Sequence, residues 1–380
     1  MASLYLHIPF CERKCIYCDF YSIESLAPID NFLQSLLCEI ELQTEFHHQK
    51  IETIFFGGGT PSLLSPAQLE IIFNHIAKYF LVDDAAEITV ECNPGTVDEE
   101  KLRAYHSLGI NRLSFGVQSF YEDDLQFLSR IHTVQEAKHA IHLAHRVGFE
   151  NVNLDLIFSL PNQTIEKWEQ NLLQSVLLEP THISAYSLII EPNTPLQRMV
   201  ETKQISVPPN ERDADMYEFT MNFLEIHGYE QYEISNYGKP DYHCRHNKNY
   251  WNHTNYISFG PSAHSFWQKG EMKRWWNIAN ISTYNQKLAE HQLPLAGNET
   301  LTKQQLFEET IMLGLRSEGI DVAFVEKHFG HNVVNDITAI AQQYFPAEFF
   351  IFGKDKIRLT KKGYLLCEEI AQQLLLKMDD

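Results

Sequence analysis

Between residue 3 and about residue 190, short β-branched and aromatic runs alternate with longer stretches whose apolar positions recur at helical spacing. The runs Leu4–Ile8, Thr53–Phe56, Glu87–Cys92, Arg112–Val117, Val152–Phe158 and His182–Leu188 predict six strands, with helices between them. Consecutive βα units of this kind predict an α/β fold, a partial (β/α)6 TIM-like barrel, with an open doubly wound sheet as the alternative. A βα barrel gathers the C-terminal ends of its strands on one face, so polar residues just after the strands would converge there.

After residue 190 the pattern changes. The loop Glu191-Pro192-Asn193-Thr194-Pro195 leads to a helix expected near 210–227, and then to an aromatic-rich stretch holding Trp251, Trp267, Trp275 and Trp276. From about 297 the periodicity is helical, with a late strand-turn signal over Lys356–Tyr364, which predicts a small, mainly α, winged-helix-like C-terminal domain. The expected division is a core at 1–235, an aromatic-rich linker at 236–296 and the small domain at 297–380. No fixed-period repeat beyond the βα alternation and no low-complexity tract is present.

Composition narrows the partners. An apolar fraction of 44% over 380 residues is enough for a full core. Fifty acidic against 30 basic residues give a formal charge of −20, which repels phosphate backbones, so no nucleic-acid partner is expected. No apolar stretch approaches a membrane span, and residues 1–7 run straight into a strand-like segment without a basic and apolar leader. Seven mostly isolated cysteines fit a reducing compartment. A cytoplasmic protein without stable membrane insertion is expected, its oligomeric state left open, a homodimer included.

The chemistry concentrates in Cys11, Cys15 and Cys18, three thiols within one eight-residue run after the first strand. Thiolates are soft ligands for iron–sulfur clusters, zinc or copper, and one short loop can wrap three of them around one inorganic core. The fourth position is then completed by a distant residue or kept open for a small molecule. Zinc is the rival, although a structural zinc loop usually pairs with a second knuckle, and Cys38, Cys92, Cys244 and Cys367 stand singly.

Gly57-Gly58-Gly59-Thr60-Pro61-Ser62 follows the second strand, where glycine lets backbone approach a ligand closely. Glu91 closes the third strand, placed to bind an ammonium or hydroxyls or simply to cap a helix. Gln118, Arg130 and Asp155 offer an amide, a guanidinium and a carboxylate, groups that grip an amino-acid moiety and a ribose. Other patterns are weaker. His139, His142 and His145 recur on one predicted helix, but no carboxylate or cysteine joins them as ligand. Lys361-Lys362-Gly363 would suit a nucleic-acid wing, against which the overall acidity argues.

Together these motifs resemble the radical S-adenosylmethionine (SAM) superfamily. Tyr5-Leu6-His7-Ile8-Pro9-Phe10-Cys11, Glu91-Cys92-Asn93-Pro94-Gly95-Thr96, Ser114-Phe115-Gly116-Val117-Gln118-Ser119-Phe120 and Asp155-Leu156-Ile157-Phe158-Ser159-Leu160-Pro161 resemble its oxygen-independent coproporphyrinogen oxidase group, over nearly the whole chain. The resemblance implies a radical SAM barrel, with a 4Fe-4S cluster on Cys11, Cys15 and Cys18 and SAM at the open iron. It also implies SAM contacts from Tyr5, Gly58, Gly59, Thr60, Glu91, Gln118, Arg130 and Asp155.

Two branches of that group compete. The dehydrogenase of haem synthesis, which decarboxylates coproporphyrinogen III, carries a further cysteine two positions after the third, and here that position is Phe20. It also has a longer arm before the cluster loop, whereas Cys11 lies ten residues in. Both departures favour the branch of haem chaperones, which implies haem as ligand and an unidentified acceptor, respiratory haem proteins among the candidates. His246-Asn247-Lys248-Asn249-Tyr250-Trp251 matches that branch's His-Asn-x-x-Tyr-Trp pattern and makes His246 the candidate axial haem ligand; His243, His253 and His264 flank the same region. Ser159 and Asn162 depart from the glycines this group often has around Leu160-Pro161.

Overall fold

The computed structural model describes residues 1–379. Strands β1 (Ala2–Ile8), β2 (Lys50–Gly58), β3 (Leu81–Cys92), β4 (Arg112–Gln118), β5 (Asn151–Phe158) and β6 (His182–Ser187) lie side by side in chain order, all parallel. Helices α1 (Ile29–Leu42), α2 (Pro66–Tyr79), α3 (Glu99–Ser107), α4 (Glu122–Phe127), α5 (Val134–Val147) and α6 (Ile165–Leu177) connect them. This is the partial (β/α)6 barrel expected from the alternation, and the six expected strands are its six strands.

Each strand splits its residues between two faces. Leu4, Leu6, Ile54, Phe56, Val90, Leu113, Phe115, Leu154, Leu156 and Ile183 are buried in one core with the helix residues Leu36, Ile40, Leu69, Ile72, Ile76, Ala137, Ile141, Ala144 and Leu172. That three-and-four spacing is the apolar stripe of a helix lying on a sheet. The alternate strand positions face the other way. Ser3, His7, Thr53, Glu87, Thr89, Arg112, Ser114, Asn153, His182 and Ser184 are buried and polar. Register sorts them into layers: Glu91 pairs with Ser114, Ser114 with Asn153, and Asn153 with His182, while one layer above Gly116 pairs with Asp155 and Asp155 with Ser184.

After α7 (Pro195–Glu201) and α8 (Asn210–Ile226), β7 (Glu230–Gln231) and β8 (Asn236–Gly238) extend the β6 edge antiparallel. Helix α9 (Arg245–Trp251) then enters the polar interior. Glu87 accepts from the backbone N–H of Arg245 and of His246, each at 3.0 Å, meeting two of the donors a helix leaves open at its start.

Residues 236–296, read from composition as an aromatic-rich linker, supply strands to the main sheet. β9 (Tyr256–Phe259) runs parallel beside β1, and β10 (His264–Lys269), β11 (Glu271–Asn277) and β12 (Leu295–Thr300) follow antiparallel, with α10 (Ile281–Ala289) between the last two. Phe46 stacks on Trp275 at 5.3 Å and meets Trp267 edge-on at 4.8 Å, so two of the tryptophans pack against the main core. A separate core of Ile311, Leu315, Ile337, Ile357, Leu359, Ile370 and Leu374 holds the C-terminal helices over an antiparallel three-stranded sheet. There Lys361 bonds Asn222 at 3.0 Å and Glu225 at 2.5 Å, and Lys362 bonds Glu348 at 3.0 Å, so both lysines of the expected wing are paired with other side chains. Among the described residues no helix is long and apolar enough to cross a membrane.

Candidate cofactor site at the strand ends

The loop after β1 is closed at its base. Cys11 N–H donates to Ile23 O at 3.0 Å and Ile23 N–H to Pro9 O at 2.8 Å. Inside it Cys18 N–H bonds Cys15 O at 3.2 Å, and Lys14 ties its own N–H to Glu24 at 2.7 Å and its Nζ to Phe20 O at 2.9 Å. The loop thus holds its three thiols with backbone bonds that do not involve sulfur. Burial pushes the Cys11 thiol up and Cys18 to about 11, and both feel Cys15 beside them. Thiols held protonated by burial become thiolates when a cation binds.

Thr60 Oγ1 donates to Cys11 Sγ at 3.7 Å, and Arg130 Nη1 donates to Cys15 Sγ at 3.4 Å. Arg130 is anchored by Nη2, which donates to Gly116 O at 2.7 Å and to Asn93 Oδ1 at 3.2 Å, while its buried Nε has no partner among the described residues. A Cβ at Gly116 would lie 3.1 Å from Gln118 Nε2 and 3.2 Å from Arg130 Nη2, so the missing side chain is what admits both. Gln118 itself has φ +69° at a register shift between Gly116 and Gln118, a bulge that re-aims its side chain at the strand end.

Under the glycine turn, Glu91 Oε2 accepts from Gly58 N–H at 3.1 Å. Burial, with Asp155 nearby, pushes Glu91 up to about 8. Asp155 accepts from Ser114 at 3.1 Å and Asn153 at 2.8 Å, and burial raises it too. A Cβ at Gly59 would fall 2.6 Å from Phe10 O, so the turn is pressed against the strand end that carries the cysteine loop. Tyr5 O–H donates to His7 Nδ1 at 3.2 Å, because His7 Nε2–H is already given to Tyr21 O at 2.8 Å.

The structure therefore brings Cys11, Cys15, Cys18, Tyr5, Gly58, Gly59, Thr60, Glu91, Gln118, Arg130 and Asp155 to one face, the C-terminal ends of β1 to β5. Asn93, Gly116 and His7 belong to the same constellation; they stood inside the quoted motifs, but only their hydrogen bonds and spacing mark them. A three-thiol donor set, two carboxylates that burial disfavours as anions and an unpaired buried guanidinium nitrogen suit a soft metal cluster with a cationic amino-acid ligand. No three His, Cys, Asp or Glu side chains among the described residues converge as a single ion requires. A cubane core, being several atoms wide, takes thiolates that stand further apart.

His246 sits apart from that face. It is 1% exposed, its Nδ1 lies 2.7 Å from Thr53 Oγ1 and its Nε2 lies 2.9 Å from Tyr250 Oη. Both ring nitrogens are committed to hydroxyls, and burial lowers its pKa to about 3. In this conformation no ring lone pair is free for iron. Beside it, Tyr5, Phe20, Tyr21, Tyr250, Tyr256 and His264 line a cavity of about 350 Å³ that adjoins the cysteine loop. Phe20 is 63% exposed there. Ser159 and Asn162 take φ of +59° and +61°, the left-handed backbone that glycine adopts at least cost.

Comparison with known proteins places the chain in a family. Residues 5–173 match the radical SAM superfamily model, and residues 301–366 match the HemN C-terminal domain. The chain is 35% identical to the heme chaperone HemW of Bacillus subtilis over 97% of its length and 98% of that protein. It is 42% identical to the heme chaperone HemW of Escherichia coli over 69% of each chain. Its fold superposes on coproporphyrinogen III oxidase HemN of E. coli with a TM-score of 0.83 at 24% identity, covering 98% of this chain and 89% of that one. From the thiol loop to the C-terminal domain, sequence and architecture agree: the chain belongs to the HemW family within the radical SAM superfamily.

Proposed function

We propose that this protein is a haem chaperone that binds haem and passes it to an acceptor haem protein, a respiratory one among the candidates, in the cytoplasm. Cys11, Cys15 and Cys18 would hold a 4Fe-4S cluster whose open iron takes SAM. When bound, these groups supply single-electron chemistry. The protein's part is to place them. Glu91 and Asp155 would receive the ammonium and ribose hydroxyls of SAM, with Tyr5, Gln118, Gly58, Gly59 and Thr60 around them. Arg130 would hold the cluster edge through Cys15 and face the carboxylate of SAM.

The observation that carries the chaperone reading is Phe20, a bare aromatic at the cavity mouth where the oxidative branch has a thiol. An apolar ring there suits a flat macrocycle better than proton or electron traffic. Two measurements on the anaerobically reconstituted protein test it: turnover of coproporphyrinogen, and loss of haem from loaded protein to an apo haem protein. Transfer without turnover is expected. Robust turnover would sink the chaperone reading in favour of an oxygen-independent dehydrogenase.

A further inference from the structure

Resting on the haem-binding reading above, we infer that His264, at the start of β10, is the protein's axial ligand to haem iron, with the macrocycle edge seated in the cavity beside the cysteine loop.

Two imidazoles border that cavity. His7 is 4% exposed, with one nitrogen taking the Tyr5 hydroxyl proton and the other bonded to Tyr21 O, so it has nothing to offer. His264 is exposed, and no hydrogen bond to its ring is found among the described residues. Its position is nevertheless held. It pairs across the β10–β11 ladder with Trp276, and the two rings stack at 5.9 Å with planes 17° apart. A ring fixed by a neighbour and free at its nitrogens loses little freedom on ligating a metal.

Five aromatic rings make up most of the rest of the lining, beside His7, Asp19 and Ser262. Tyr250 meets Tyr256 edge-on at 4.6 Å, and the exposed Phe20 of the cysteine loop lines the same cavity. Aromatic faces and edges of this kind bury a flat conjugated ring well. A cavity of about 350 Å³ open to solvent takes one edge of a macrocycle and leaves its propionates in water.

The test uses the full chain, titrated anaerobically with ferric haem and followed by Soret absorption and EPR, with far-UV circular dichroism and iron content of the cluster as controls. His264→Ala is expected to lose the histidine-ligated spectrum and to bind haem roughly tenfold or more weakly. Its fold and cluster should be intact, because an exposed side chain carries little stability. His264→Met should restore binding with an altered Soret maximum, which a merely structural histidine would not do. His246→Ala should keep the parent's ligation signature. A His264→Ala spectrum identical to the parent, or loss of the signature in His246→Ala with normal fold, would overturn the assignment while leaving haem binding intact. Absence of haem binding by the parent protein would overturn the chaperone reading itself.

Discussion

Arg130 reaches from the segment after α4 to the cysteine loop after β1 and donates to Cys15 Sγ across 3.4 Å. A guanidinium against one thiol makes the three sulfur positions inequivalent: Cys11 has the Thr60 hydroxyl and Cys15 a charged donor. Hydrogen bonds and positive charge at cluster sulfurs stabilise the reduced cluster and raise its potential. Arg130→Met should therefore lower the cluster potential by tens of millivolts, whereas Arg130→Lys should lower it less. EPR-monitored redox titration reads the difference, and equal potentials in all three proteins would refute it.

Cys15→Ala should abolish the brown colour of the reconstituted protein while leaving the chain folded. The loop is tied by Cys11 N–H to Ile23 O, Ile23 N–H to Pro9 O and Lys14 to Phe20 O, none of which involves the Cys15 thiol. Iron and sulfide content, with circular dichroism, check both halves. A variant as brown as its parent would remove Cys15 from the ligand set.

Glu91 links the site to pH. Its folded value of about 8 lies above the ordinary 4.5, so between those limits the folded state keeps a proton that the unfolded chain has lost. Stability of the cofactor-free protein should then fall as pH rises from about 4.5 to about 8. Glu91→Gln keeps an acceptor for Gly58 N–H and should flatten that decline, raising the melting temperature at pH 8 while weakening SAM binding by about tenfold or more. Glu39 and Glu233, both pushed to about 7 by burial, should leave a residual slope. Parallel pH–melting curves for parent and variant would contradict the assignment.

At the β5 turn the left-handed backbone predicts a simple ordering. Asn162→Gly should change stability by no more than about 0.5 kcal/mol and Asn162→Ala should cost up to about 1 kcal/mol, because alanine tolerates φ of +61° poorly. Ser159 adds a bond from Oγ to Asp213 Oδ1 at 2.5 Å, so Ser159→Ala, which leaves the Cβ in place, should cost about 1 to 2 kcal/mol through the lost bond. Urea denaturation gives the three values; a destabilising Asn162→Gly would refute the backbone explanation.

Much of this was legible along the chain. The six strands coincide with the β-branched runs, because a strand covered by helices must present apolar residues on its outer face whatever the rest of the molecule does. The three thiols were legible because they fall within one eight-residue stretch of chain. Ser159 and Asn162 stood out as non-glycine residues, and their positive φ explains the position while leaving their identity unexplained. Less legible was the stretch 236–296. Its aromatic richness suggested a linker, yet β9 pairs with β1 across more than 250 residues of chain, a partnership that local periodicity does not encode.

His246 and His264 divide the problem most sharply. By itself, the sequence determined which chemistry the strand ends carry: soft thiol ligands, a glycine turn, acids and an arginine each lie close to a strand whose direction the barrel dictates. It also placed both histidines in one aromatic stretch without ranking them by anything but motif. The ranking came from the tertiary structure. It puts Thr53 and Tyr250 on the ring nitrogens of His246 and Trp276 against the face of His264, whose nitrogens have no hydrogen-bond partner among the described residues. Availability of a lone pair depends on what folds against the ring, and those neighbours come from distant parts of the chain.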